Sequence, residues 1–182
     1  MDAPVLRYGA LDRTHLTKHL WQMAKRVGVS RVTIRDLAAA AGTKPSSVYY
    51  HVRDKSELFD LLIESVLAQI EVPPTGDWES RLVDLYTNAW KVLIDVPGIA
   101  TLLQEHPHTA AATEMDRASR AILSESGLRT RDFEAAHAAL YIHLLGSVQL
   151  AHIRPGQPSD WSFRYGLRLI LNGLRSEVRE QA

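Results

Sequence analysis

Between residues 33 and 55 the chain gathers hydroxyls, an imidazole, two guanidinium and two ammonium groups. The stretch Ser46–Lys55, SSVYYHVRDK, is the densest part. Adjacent residues on a helix point in different directions, so one core cannot hold Tyr49, Tyr50 and His51 together. Only Val48 and Val52 are aliphatic there. A helix this short and polar suits hydrogen bonding to base edges and phosphates better than packing. Arg35, upstream, has the fork that pairs with guanine in two bonds. Lys55 stands where a following helix begins, beside free backbone N–H groups that attract a phosphate.

Other chemistries lack their residues. Without cysteine there is no disulfide, thiolate metal site or cysteine nucleophile, which fits a reducing compartment. No Gly-rich phosphate loop, H-E-x-x-H or G-x-S-x-G occurs. MDAPVLRYGALDR has no apolar core of a secretory signal, and no apolar run reaches membrane-span length, so the expected setting is the cytoplasm, with no membrane partner. The formal net charge of zero hides an asymmetry: residues 1–60 carry ten Lys/Arg against six Asp/Glu, and residues 61–182 carry eleven against fifteen. A basic front suits a polyanion.

The elements that must position these groups read as helices throughout, with no period-2 alternation and no hairpin turn. Leu11 and Asp12 have the form of a hydrophobic residue followed by an N-cap, opening a helix over 12–27. Thr33, with Asp36 three residues on, caps a second helix that ends at Gly42. A third begins around Pro45 and ends near His51, and Asp54 caps a fourth that runs to about residue 71. VPPTGD, residues 72–77, breaks the chain. Asp77 then caps a fifth helix, ended by Pro97-Gly98. Further helices are predicted over 98–105, 109–126, 130–152 and 160–178, the last capped by Asp160. The fold class is therefore all-α: a three-helix domain over 1–58, a connecting helix over 54–71, and a larger helical domain over 72–182. AAAAGTKP joins helices two and three with small alanines and a glycine, which lets them cross closely. That is a helix-turn-helix, whose second helix enters the major groove.

On these residues TIRDLAAAAGTKPSSVYYHVRDKSELFDLL resembles the DNA-binding domain of the tetracycline-repressor family, without a gap over about thirty residues. The resemblance implies phosphate contacts from Thr33, Tyr49, His51 and Lys55, base or methyl contacts from Arg35, Ser46, Ser47 and Tyr50, and either role for Lys44. Pro45-Ser46-Ser47 departs from the Gln-Pro-Thr of the tetracycline repressors, so the operator sequence is expected to differ.

Beyond the breaker the residues suggest an apolar pocket with a few polar anchors. Phe133, His137 and Tyr141 share one helix face at four-residue spacing. Tyr86 and Trp90 do the same on helix five, and Gln104 and Met115 complete the set. Core packing is the better explanation for any one of them taken singly. Histidines at 106, 108, 137, 143 and 152 raise the question of metal, because the tetracycline repressors hold a magnesium–drug complex partly through a histidine. Single helical histidines read first as core or surface residues, so no metal or cofactor is assigned. Leu144, Val148, Leu167, Ile170, Leu171 and Leu174 on the last two helices exceed one small core, and Gly146, Gly166 and Gly173 permit close approach. A two-fold four-helix interface would bury that excess.

The reading is a one-component transcriptional repressor that binds a double-stranded, pseudo-palindromic operator as a homodimer and is released by a small-molecule effector. Its rivals are an architectural or adaptor protein that uses the motif without effector control, and an enzyme on a helical scaffold.

Overall fold

The structure, a computed structural model, describes residues 13–154 and 156–181. The proposed Leu11-Asp12 start of the first helix lies outside them. In chain order the described elements are α1 (Arg13–Val27), a 3-10 turn (Val29–Arg31), α2 (Ile34–Ala40), α3 (Pro45–Tyr49), α4 (Lys55–Leu67), α5 (Trp78–Ile94), α6 (Ile99–Glu105), α7 (Ala110–Ser124), α8 (Thr130–Ile153) and α9 (Asp160–Gln181). Among the described residues there is no strand.

Caps explain most of the helix starts. Thr33 Oγ1 accepts the Asp36 N–H at 3.1 Å, Asp54 accepts that of Glu57 at 3.0 Å, and Asp77 accepts those of Glu79 and Ser80 at 3.1 and 3.0 Å. Two boundaries differ from expectation. Helix α4 stops at Leu67 because its end tightens: the Gln69 and Ile70 N–H groups donate three residues back, to Val66 and Leu67. Ile70 is still buried, which kept the apolar period going in sequence. At α9 the cap is Ser159, whose Oγ accepts the Ser162 N–H at 3.2 Å. Asp160 lies inside the first turn and pairs with Arg164 Nε at 2.8 Å.

Helix α4 is the hub. It packs on α1 on one side and on α5, α6 and α7 on the other. Leu58, Leu61, Leu62, Ile63 and Val66 are buried around most of its circumference, which marks a helix enclosed by neighbours. Polar ties hold the same joints: Arg13 pairs with Glu64, and His106 Nδ1 meets Asp60 Oδ1 at 2.8 Å. The N-terminal head is also fixed at the turn before α6. The Val29 N–H donates to Pro97 O at 2.9 Å, and Lys25 pairs with Asp95 at 2.6 Å.

Helices α8 and α9 pack together and on α5. At their centre the rings of Trp90, Phe163 and His143 form one stack, with Phe163 fully buried between centroids at 4.6 and 5.1 Å. His143 Nε2–H donates to Phe163 O at 2.9 Å, and Gly166 is required there, because a Cβ would overlap the His143 ring. Leu144, Val148, Leu167 and Leu171, which the sequence offered as surplus for a second copy, are buried within the protomer. The exposed apolar side chains are instead Ile142, Ile153, Trp161, Tyr165 and Leu169. Helical periodicity marks an apolar face, but it does not say which of two faces meets the protomer's own core.

Candidate nucleic-acid interface and ligand cavity

The turn between α2 and α3 depends on backbone geometry that only one residue type adopts cheaply. Gly42 has φ +63°, and behind it the Thr43 N–H donates to Ala38 O at 2.9 Å, closing the end of α2. Ala38 is buried in this crossing and Ala41 half-buried, while Ala39 and Ala40 face solvent. Val48 and Val52 are fully inside the head, so α3 is held by one face and offers the other.

What it offers is free. Tyr50 is 89% exposed and Tyr49 52%, and Arg35, Lys44 and Ser46 are also exposed. None of these five side chains has a hydrogen-bond or ion-pair partner among the described residues. Ser47 is half-buried at the base of the same face. His51, half-buried, meets Tyr50 edge to face at 5.6 Å between centroids. Lys55 lies with Nζ 5.2 Å over the Phe59 ring at the start of α4. The Thr33 hydroxyl is already engaged, accepting the Asp36 N–H and donating to Asp36 Oδ2 at 2.7 Å. Any contact from it to an outside group must use its remaining lone pair or its backbone N–H. The neighbouring cation Arg53 is not free: its guanidinium and its backbone N–H are both taken by Glu57, whose carboxyl is held below the usual range by that pairing. The arrangement is a surface of unpaired donors and cations on one short helix and its flanks, suited to a polyanion.

A second site lies in the body. A cavity of about 430 Å³ lies among α4–α8, open to solvent on one side, with apolar walls that include Leu67, Leu85, Leu93, Leu103, Leu144 and Leu145. Of the seven pocket residues read from the sequence, Tyr86, Met115, His137 and Tyr141 line it. Trp90, Gln104 and Phe133 do not. Trp90 belongs to the ring stack with Phe163, Gln104 is exposed and donates to Ala100 O within its own helix at 3.1 Å, and Phe133 packs beneath the Arg120 guanidinium.

The polar groups of the cavity form a chain. Tyr86 OH and Ser119 Oγ share a hydrogen bond at 3.0 Å, and His137 Nε2 lies 3.5 Å from Asp116 Oδ1. Arg120 binds Asp116 through Nε at 2.9 Å and Glu134 through Nη1 at 2.8 Å. Burial pushes the Tyr86 hydroxyl up to about 12. His137, 6% exposed, is pushed down by burial and then by Arg120. Tyr141 is raised by burial and by Asp116. Sequence reading missed Asp116, Ser119 and His108. Ala112, Met115, Asp116 and Ser119 recur at three- and four-residue spacing on α7, and that stripe was the available signal. Pro107 and His108 line the cavity, and His108 also lines a cleft behind α3 together with His51, Asp60 and Glu64. His152 Nε2–H donates to Ile94 O at 2.9 Å. Among the described residues no three His, Asp or Glu side chains converge as a metal site, and no helix is long and apolar enough to cross a membrane.

Residues 19–62 match the profile of the bacterial regulatory proteins of the tetR family. An HTH-type transcriptional regulator of Saccharopolyspora erythraea is 28% identical over 131 residues, which cover 70% of this chain and 55% of that one. The chain thus spans little more than half of that relative's length. Apo ActR from Streptomyces coelicolor has a similar fold, with a TM-score of 0.81 at 18% identity, covering 96% of this chain and 100% of that one. BioQ, solved with its double-stranded DNA operator, superposes with a TM-score of 0.74 at 19% identity over 92% of this chain and 99% of that one.

Proposed function

We propose, for a chain whose N-terminal domain belongs to the tetR family of bacterial regulatory proteins, a ligand-controlled transcriptional repressor that binds its operator as a homodimer. The observation that carries this is the exposed surface of α3 and its flanks: Arg35 on α2, Lys44 just before α3, and Ser46, Tyr49 and Tyr50 have no hydrogen-bond or ion-pair partner among the described residues, and α3 is anchored from behind by Val48 and Val52. A surface so rich in unpaired donors is matched by groove edges and phosphates. Tyr49, His51 and Lys55 take the phosphates, and Arg35, Ser46, Ser47 and Tyr50 read the bases.

One head covers half a site. Two copies joined through the exposed faces of α8 and α9, around Ile142, Ile153, Trp161 and Leu169, would place two α3 helices in major grooves about 34–36 Å apart. Bound at a promoter in the cytoplasm, the dimer would block polymerase. The DNA-binding domain of this division runs to about residue 58, and the ligand-binding and dimerising domain from about 72.

Release follows from differential binding. The cavity touches the head's supports at two places: Leu67, at the end of α4, and Pro107-His108, next to the His106–Asp60 contact with α4. An effector that prefers one arrangement of this wall shifts the population of head spacings. DNA must then weaken that effector's binding by the same factor.

The test is a selection from random duplex DNA with the purified protein, followed by light scattering. An inverted-repeat consensus bound by a dimer is the expected result. Uniform binding of all sequences would favour an architectural protein, and a monomer at micromolar concentration would end the dimer reading.

A further inference from the structure

The polar end of the body cavity also carries information about what it holds. The lining contains Asp116 and the imidazoles of His108 and His137, but no lysine or arginine. The cation closest to this end, Arg120, is already bound to two carboxylates, Asp116 and Glu134. His137 is nearly inaccessible, and burial favours its neutral form. His108 lies exposed at the rim. An anion brought inside would lose much of its water, find no free counter-charge among the lining residues, and lie near the exposed Asp116 carboxylate. A buried unpaired charge is among the costliest arrangements in a protein.

A hydroxyl, in contrast, is completed by what is there. Tyr86 and Ser119 together own two O–H hydrogens and spend one on each other, so one remains for an acceptor on a ligand. His137, on the same wall, turns Nε2 toward Asp116 Oδ1 at 3.5 Å, so as a neutral imidazole it leaves its other nitrogen as an acceptor for a ligand. A group that both accepts and donates can close this set, and an alcohol or phenol does so. The rest of the wall is mostly aliphatic, with leucines, alanines, Ile70, Pro107 and Met115, and it adds the hydroxyls of Thr113 and Tyr141; the volume suits a drug-sized body.

We propose that this cavity binds an uncharged, largely apolar molecule bearing an alcohol or phenol that docks between the Tyr86–Ser119 pair and His137, and that it rejects carboxylates and phosphates of the same size. The proposal rests on the cavity being the effector site, and the experiment separates the two. Three fluorescent probes share one skeleton: 9-anthracenemethanol, 9-methylanthracene and anthracene-9-carboxylate. Each is titrated into the full-length protein at pH 8, where an ordinary imidazole is neutral.

The alcohol is expected to bind about tenfold or more tighter than the carboxylate, and severalfold tighter than the hydrocarbon. Asp116→Asn removes the facing charge and releases Arg120 from one partner, so it should improve carboxylate binding and narrow the gap. Ala112→Phe, and independently Ala89→Phe, fill the cavity and should abolish binding of all three probes; circular dichroism selects whichever variant is folded. A carboxylate that binds as tightly as the alcohol overturns the ligand class and leaves the site standing, as does a hydrocarbon that matches the alcohol. Failure of all three probes, or binding that persists in a folded, filled variant, overturns the site itself and the ligand class with it.

Discussion

The head and the body solve opposite problems with similar side chains. On α3 and its flanks, Arg35, Lys44, Ser46 and Tyr50 have no hydrogen-bond or ion-pair partner among the described residues, because water satisfies them. In the cavity, Tyr86 is tied to Ser119, and Asp116 is tied to Arg120 with His137 beside it. Polar groups taken out of water must be paired before any ligand comes. A surface site can therefore be recognised by what is missing around its residues, whereas a buried site is recognised by a polar chain inside an apolar wall.

This contrast can be broken, beginning with the largest effect. Phe163→Ala should cost about 3–5 kcal/mol of unfolding free energy, read by denaturant titration, because it empties a fully buried slot between Trp90 and His143. Tyr50→Ala, equally drastic in size, should leave that free energy unchanged and weaken DNA binding. If the two variants lost similar stability, the division into packed body and solvated head would fail.

Arg35→Ala comes next, at about 1–3 kcal/mol of operator affinity with a relaxed sequence preference, measured by competition between operator and variant duplexes. Lys55→Ala should weaken all sequences alike and lower the salt slope by about one. A Lys55→Ala protein with altered specificity and an unchanged salt slope would contradict its phosphate role. In the body, Tyr86→Phe strands the Ser119 hydroxyl and should cost about 1 kcal/mol of stability. No such cost is expected from removing a hydroxyl on α3.

The smallest effect concerns pH. His137 is held below its ordinary value in the folded protein, so the unfolded chain takes up its proton first as pH falls. Stability from this group is complete above about pH 6.5 and declines as pH drops toward the depressed value. Thermal melts between pH 5 and 8 should show an acid-side loss that His137→Gln reduces.

The same contrast explains what the sequence revealed. The head was legible because local rules determine it. Thr33 with Asp36 forms a capping pair, Gly42 takes a left-handed turn, and Val48 and Val52 mark the one buried face. The body was partly legible. Its helices follow from their caps and breakers, apart from the tightened end of α4 and the one-residue shift from Asp160 to Ser159. Its cavity was not, because spacing on one helix cannot say what lies opposite. Tyr86 and Trp90 are four apart on α5, yet one meets the cavity and the other a ring from α9. Phe133, His137 and Tyr141 share a face, and only the last two reach the lining. Ser119 looked like an ordinary surface position until α5 closed over it, and Asp116 stays exposed at the cavity's polar end.

Helix α4 is also a lever. Its Leu67 end touches the cavity and its Lys55 end stands at the phosphate side of the head. At the usual rise the two residues are about 18 Å apart, so a tilt of about 5° around the Leu67 end carries Lys55 about 1.6 Å. That exceeds the tolerance of a hydrogen bond to a phosphate. In a two-fold dimer the displacement occurs on both sides at once. If the chain works as proposed, a leucine-sized change in the fit around a small molecule would be enough, by leverage alone, to put both heads out of register with the groove.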